Sequence, residues 1–313
     1  MTNKRVLIVA DVPGWCYARR AESLVKYAPE GWDATCCVWA NFMAMINTTA
    51  EPPDVIFLLD YTQAESARVI MGQLWLDCPL IVSWNRGAGE RLDLLQNAAH
   101  FADAILFNNR QAYDWAQEHG FRNVAYVCNG VDLSVFRVKV PFERRPNRVL
   151  WTGSDAPHKW KGWDDILVPL ADKLREMGYE PDFRPLRDSR DARVMSQSEM
   201  VDWYNTGKVI LCASKSEGTP NTTLEGMACG CVPVSTRTGN IVDIGTNHRD
   251  CVFARRDVDA FVGCVFEAIE NYEIMAPQAV KTIERLGYGP PARHAKRFYE
   301  VFESVLANNK NER

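Results

Sequence analysis

The chain has 313 residues, 47% of them hydrophobic and 24% charged, with a formal net charge of −4. This composition excludes a disordered or fibrous chain, and the acidic balance gives no general attraction to nucleic acid or to an anionic membrane surface. The length exceeds what one hydrophobic core usually supports, so two domains of roughly 150 residues are expected.

The amino terminus has a basic start, Lys4-Arg5, followed by an apolar run from Val6 to Ala10 that is only strand-length and ends at Asp11-Val12-Pro13-Gly14. It does not fit a signal peptide, and no stretch approaches the ~20 apolar residues needed to cross a bilayer, so a cytoplasmic protein is expected. Further apolar runs lie at Ala34 to Val38, Val55 to Leu59, Leu80 to Trp84, Ala104 to Phe107 and Val124 to Val127. Amphipathic helical segments at Ala18 to Tyr27, Glu65 to Leu76, Glu90 to Phe101 and Arg110 to His119 separate several of them. Near-continuous apolar strands alternating with helices predict a parallel sheet covered on both faces.

Pro141-Phe-Glu-Arg-Arg-Pro146 breaks the pattern, and Val149 to Gly153 reads as a fresh first strand. Strands are then expected at Glu180 to Leu186, Val209 to Ala213, Val232 to Ser235 and Cys251 to Ala254. The corresponding helices are Asp164 to Met177, Glu199 to Tyr204, Thr222 to Cys229 and Val258 to Tyr272, with a final one at Ala292 to Leu306. The expected fold is α/β: two Rossmann-like domains facing across an interdomain cleft, where the carboxyl edges of parallel sheets gather ligands. The expected boundaries are 1–145 for a first domain with its linker, 146–290 for a second, and 291–313 for a terminal helix returning to the first. The ten cysteines include no Cys-x-x-Cys pair, so they read as small buried hydrophobes in a reducing compartment, not a disulfide framework or zinc site.

The most informative segment is Glu217-Gly218-Thr219-Pro220-Asn221-Thr222-Thr223-Leu224-Glu225, continuing as Gly226-Met227-Ala228-Cys229-Gly230-Cys231-Val232-Pro233-Val234. A short buried strand, a loop and a small-residue helix in that order put a helix N-terminus at the carboxyl edge of a sheet. Unpaired N–H groups and the positive end of the helix dipole favour a phosphate there. Glu217 precedes the helix and Glu225 lies about one turn into it, so the two carboxylates reach different parts of one elongated ligand. An isolated pair of glutamates would read as a solvated loop residue and a first-turn residue; the turn between them and the small apolar run after them shift the reading to a sugar nucleotide.

The whole segment resembles the donor-site signature of family 4 of the retaining GT-B glycosyltransferases, the glycosyl transferases group 1. Three more stretches carry the resemblance: Ala102 to Phe136, with Asn129-Gly130-Val131-Asp132 and Phe136; Gly153-Ser154 through His158-Lys159-Trp160-Lys161-Gly162; and Thr238-Gly239-Asn240-Ile241-Val242-Asp243-Ile244. The resemblance runs from about 102 to 307 and is thin before that. It implies a GT-B fold and a retaining transferase that moves a sugar from a nucleotide-diphosphate sugar to an acceptor hydroxyl on a glycan, a lipid-linked glycan or a small molecule. Glu225 would take the ribose hydroxyls, while Glu217 would take hydroxyls of the sugar and sit near the charge developing at the anomeric centre. Lys161, the Gly153-Ser154 loop and the segment Gly218, Thr219, Pro220, Asn221 and Thr222 with its N–H groups form the implied diphosphate site. Lys161 and the helix terminus would then replace a metal, so no metal and no cofactor are expected beyond the donor substrate.

The chain departs from the family pattern in three places. Ser154 stands where an arginine is usual, leaving Lys159 or His158 to supply a charge. The first loop, Asp11 to Trp15, keeps one glycine, and Ser83-Trp84-Asn85-Arg86 has no histidine. Asp11 and Asp60 follow strands of the first domain, where a general base could stand. Trp160 and Trp163 could stack on a base or sugar, although packing is the commoner role. Arg184, Arg187, Arg190 and Arg193, with Asp188 and Asp191 between them, read as a self-paired solvated segment or a grip for an anionic partner. His100 and His119 read as structural. Two alternatives stay open: transfer to a base in DNA, which the acidic charge does not favour, and a noncatalytic sugar-nucleotide-binding protein. The donor base and sugar, the acceptor and the oligomeric state are not legible.

Overall fold

The computed structural model describes residues 3–48, 51–72, 75, 77–154, 158–186 and 195–311. The chain divides into two compact units, 1–128 with 293–313 and 129–292.

In chain order, unit 1 contains β1 (Lys4–Ala10), α1 (Cys16–Lys26), β2 (Trp32–Val38), α2 (Trp39–Thr48), β3 (Val55–Leu58), α3 (Ala64–Met71), β4 (Leu80–Trp84), α4 (Leu92–Phe101), β5 (Ala104–Phe107), α5 (Arg110–Glu118) and β6 (Val124–Tyr126). The strands form one parallel sheet in the order β2-β1-β3-β4-β5-β6. Every side chain of β3, β4 and β5 is buried, which is why these strands read as unbroken apolar runs. Unit 2 contains β7 (Arg148–Ser154), α6 (His158–Lys161), α7 (Val168–Glu176), β8 (Glu180–Leu186), α8 (Gln197–Tyr204), β9 (Val209–Cys212), α9 (Asn221–Ala228), β10 (Val232–Ser235), α10 (Ile241–Ile244), β11 (Val252–Phe253), α11 (Val258–Glu270) and α12 (Tyr272–Glu284). Its sheet is also parallel, ordered β11-β10-β9-β7-β8. The last helix, α13 (Lys296–Asn311), belongs to unit 1.

Several boundaries differ from those read in the sequence. The α3 helix stops at Met71 because Gly72 takes φ +49°, a left-handed conformation that ends the helix short of Leu76, which lies outside the described residues. The expected single helix from Asp164 is a π turn over Trp163–Leu167 that feeds α7. The N–H groups of Ile166 and Leu167 both donate to the Gly162 carbonyl. The helix expected from Ala292 begins at Lys296, after Arg293 at φ +53°. Helices α2 and α12 went unread: α2 follows β2 with no intervening loop, and α12 carries an internal Pro277.

The boundary between units falls at Cys128 and Asn129 instead of 145. Hydrogen bonds explain it: the Val131 N–H donates to the Leu286 carbonyl, Tyr288 N–H to the Val131 carbonyl, and Gly130 N–H to the Tyr288 hydroxyl, so this strap folds with unit 2. In unit 1, α13 buries Phe298, Tyr299 and Phe302 against Trp32 and Phe57, and the Tyr299 hydroxyl donates to the Leu24 carbonyl at 2.8 Å. Each such aromatic contributes on the order of 2 to 3 kcal/mol by burial alone.

Candidate active site

Within unit 2, β7 has β8 on one side and β9 on the other, so the chain reverses its direction of travel across the sheet between β7 and β9. Ligands in open parallel sheets sit beyond the carboxyl ends of the strands at such a reversal. The two strand ends there carry Gly153-Ser154 and the loop from Ala213 to Pro220.

The loop's backbone is held by close approach. Gly162 has φ +83°, and a Cβ on it would lie 2.8 Å from the Ala213 carbonyl oxygen, so only glycine lets the α6 turn reach the end of β9. The Lys215 N–H donates to the Trp160 carbonyl at 2.9 Å, and the Trp160 indole to the Ser216 carbonyl at 3.1 Å. Gly239, at φ +59°, plays the same part on the other side: its Cβ would meet the Gly218 carbonyl at 2.9 Å and Glu217 Cβ at 3.0 Å. The Asn240 N–H donates to the Gly218 carbonyl at 3.0 Å.

This packing brings together the two residues first picked for chemistry. The Lys161 ammonium donates to Glu217 Oε1, and the Ser214 hydroxyl donates to the same oxygen at 2.6 Å. Thr236 donates from its hydroxyl to the Ser214 carbonyl at 2.6 Å and so fixes the residue that orients Glu217. The pair is partly exposed, with 31% of the Lys161 and 13% of the Glu217 side chain accessible, so both can meet a ligand.

Helix α9 starts at Asn221 behind Pro220, which offers no side-chain cap. Its positive end faces the loop without a carboxylate of its own in the first turn. Gly226 lets α9 lie on β9, since a Cβ there would come within 3.0 Å of Ile210. Glu225 is buried, and Oε2 accepts from the Tyr204 hydroxyl at 2.9 Å. Glu217 and Glu225 therefore have separate partners and do not meet through them.

The Asn221 N–H donates to the Thr219 carbonyl at 2.9 Å, inside the loop. The hydroxyls of Thr219 and Thr223 and the Asn240 side-chain oxygen are buried with no hydrogen-bond partner among the described residues. Buried polar atoms of this kind are rare and cluster where a ligand or water completes them. Gly153 packs on the Trp151 ring, while the side chains of Ser154, His158 and Lys159 lie outside the described ones, as do residues 155–157.

The remaining candidates separate cleanly. Trp163 packs on Trp151 with ring centroids 5.2 Å apart and is a structural residue; Trp160 is half-exposed and pinned to Ser216. Arg184 pairs with Asp182 on its own strand and lies over Trp203, while Arg187, Asp188, Arg190, Asp191 and Arg193 lie outside the described residues. His119 stacks on Trp115 and His100 meets Phe101 edge-on. Sequence reasoning missed Tyr204, Ser214, Thr236 and Asn240. Ser214 and Asn240 lie inside stretches already singled out, but nothing local marks Tyr204 as a partner of Glu225.

Two parallel α/β sheets with these connections define the GT-B fold. HepE from Anabaena, solved in complex with UDP and glucose, matches with a TM-score of 0.70 over 96% of this chain and 100% of its own, at 12% identity. Sucrose-phosphate synthase from Thermosynechococcus elongatus matches at 0.71 over 98% and 100%, at 10% identity. The catalytic domain of starch synthase IV from Arabidopsis thaliana, bound to ADP and acarbose, matches at 0.71 over 98% and 100%, at 11% identity. Residues 148–271 match the family of glycosyl transferases group 1, and the match lies within unit 2. No curated protein matches it in sequence.

Proposed function

We propose that the protein is a retaining glycosyltransferase that takes a sugar from a nucleotide-diphosphate sugar and places it on a hydroxyl of a glycan, lipid-linked glycan or small molecule. The observation that carries this reading is the Lys161–Glu217–Ser214 constellation at the switch point of unit 2, beside the uncapped start of α9. HepE, of the same fold, was solved with UDP-glucose.

The residues divide the donor between them. Glu225, steadied by Tyr204, accepts hydrogen bonds from the ribose hydroxyls. Glu217 accepts them from the transferred sugar and offsets positive charge growing at the anomeric carbon as the bond to the diphosphate breaks. Lys161 turns from Glu217 to the departing diphosphate, joined by the N–H groups of Gly218, Thr219 and Thr222 and by the Gly153-Ser154 loop. The N–H groups, already in place, need no reorganisation when the charge develops, and one such donor is worth roughly 3 to 4 kcal/mol. Lysine and the helix terminus carry this charge, so the reading calls for neither metal nor cofactor. Among the described residues no helix is long and apolar enough to cross a membrane, and we place the reaction in the cytoplasm, where nucleotide sugars are the expected partners.

A thermal-shift panel of UDP-, ADP- and GDP-sugars, followed by a hydrolysis assay on the strongest binder, tests this. One nucleotide sugar should raise the melting temperature and slowly release its sugar to water. Stabilisation with no release over long incubation would instead mark a binding protein.

A further inference from the structure

Two open sheets leave four edge strands, and three of these are poor partners for another strand. In unit 2 the outer strands are β11, two residues long, and β8. The Glu180 N–H donates to the Asn147 carbonyl at 3.1 Å and Glu180 registers with Arg148, so the even-numbered residues of β8 bond to β7 and the odd-numbered ones turn their backbone outward. Pro181 and Pro185 take two of those outward positions and have no N–H to offer. In unit 1 the edge strand β6 is three residues long. Short strands and edge prolines keep a sheet from pairing with another chain.

The remaining edge, β2, has neither protection. It runs for seven residues, Trp32 to Val38, without proline or lysine. The Lys4 N–H donates to the Gly31 carbonyl at 2.9 Å and Lys4 registers with Trp32, so the odd-numbered residues bond to β1. The N–H and carbonyl groups of Ala34 and Cys36 therefore point away from the sheet. Among the described residues β2 pairs with β1 alone, and Asp33, Thr35 and Cys36 are exposed. Such an edge is a template for one more strand.

We propose that β2 pairs antiparallel with β2 of a second copy of the chain, about a two-fold axis at Thr35, joining two six-stranded sheets into one. Self-complementarity selects a second copy. With the axis at Thr35 all seven residues are opposed, Ala34 exchanges hydrogen bonds with the partner's Cys36, and Thr35 meets its own copy in a close non-hydrogen-bonded pair. The charges on α1 agree. This helix packs on β2 and runs antiparallel to it, as a helix joining two parallel strands must. Glu22 lies near Cys36, whose thiol is raised by burial and then by this carboxylate, and Lys26 stands one turn on toward the start of β2; both are exposed. A turn of about 6 Å is close to two strand steps of about 3.3 Å, so reversal about Thr35 brings Lys26 level with the partner's Glu22. The α2 helix, which also packs on β1 and β2, carries no charged residue and exposes Ala40, Met43 and Ala44. Depletion of charge with exposed methionine is the composition of an interface core.

Light scattering on the full chain reads the assembly. At about 50 μM, well above a micromolar dissociation constant, wild type should have the mass of two 35.5 kDa chains. Ala34→Pro gives β2 the protection that β8 has, and Thr35→Lys sets like charges against each other at the axis. Each should raise the dissociation constant about tenfold or more with the far-ultraviolet spectrum kept. An equimolar mixture of Thr35→Lys and Thr35→Asp should return to the mass of two chains, because the axis then opposes lysine and aspartate. Should Ala34→Pro fail to fold, the exposed Thr35 variants decide. A monomeric wild type, variants that remain dimeric, or a mixture that stays monomeric would overturn the proposal. So would a mass that keeps growing with concentration, since an isologous contact closes at two.

Discussion

The two units solve the same topological problem with different chemistry. Each is a parallel sheet with a reversal of strand order, and each gathers polar side chains where two carboxyl ends part. In unit 2 the reversal holds a cation, Lys161, set against one carboxylate and placed near a helix start, a combination that can exchange its internal partner for a phosphate. In unit 1 the corresponding place holds Asp11 and Asp60 near Arg20, whose guanidinium donates to the Ser83 hydroxyl. Position in the fold marks where a ligand goes; the sign and commitment of the charges mark which ligand.

The sharpest way to break this contrast is to remove the cation from unit 2. Lys161→Ala should cut donor-sugar release by on the order of 100-fold or more while the far-ultraviolet spectrum is kept; a wild-type rate would refute the phosphate role. The next effect concerns the frame of the site. Arg145 is buried and donates to the carbonyls of Val140, Gly207 and Cys229 and to Asn205, so Arg145→Met should lower the stability of unit 2 by about 3 kcal/mol in urea unfolding. Gly162→Ala forces an alanine into φ +83° and its Cβ against Ala213, costing about 2 kcal/mol, and should lower turnover with it because the turn carries Lys161. Tyr204→Phe removes one donor from Glu225 and should raise the KM for the donor about tenfold with kcat little changed.

The smallest predicted effect belongs to unit 1. His294 is buried, and burial, followed in size by an opposing hydrogen bond to the Cys128 carbonyl, leaves its imidazole below the ordinary value of 6.5. A lowered folded-state value means the unfolded chain takes up the proton first. Stability from this group is therefore complete above pH 6.5 and declines as the pH falls from there through the folded-state value. The melting temperature of wild type should drop between pH 7.5 and 5 by more than that of His294→Gln, as calorimetry on both would show.

Legibility followed the same division. The unit 2 site was readable because its central parts lie within nine consecutive residues, Glu217 to Glu225, on a strand, loop and helix that are local in sequence. What remained hidden there needed tertiary contact: Tyr204 reaches Glu225 across 21 positions, and Lys161 reaches Glu217 across 56. The tight turn by which the Asn221 N–H reaches the Thr219 carbonyl is likewise something no spacing rule reveals. In unit 1 the strands themselves were plain from their apolar runs. Asp11 and Asp60 were legible there as strand-end carboxylates, but Arg20 and Ser83 were not, because they come from separate elements that only the sheet order brings to the same edge. The grouping of the strap from Asn129 with unit 2 stayed hidden for a similar reason: its hydrogen bonds go to Leu286 and Tyr288, more than 150 residues on.

The central claim is the division of the donor between two carboxylates, and melting temperatures with UDP and UDP-glucose test it most directly, with another nucleotide pair substituted if the panel prefers one. Wild type should be stabilised by both, and more by the sugar nucleotide. Glu225→Ala should lose the response to both ligands, whereas Glu217→Gln should keep the UDP response and lose only the increment from the sugar. UDP stabilising folded Glu225→Ala as strongly as wild type, or Glu217→Gln retaining the full increment, would contradict the account.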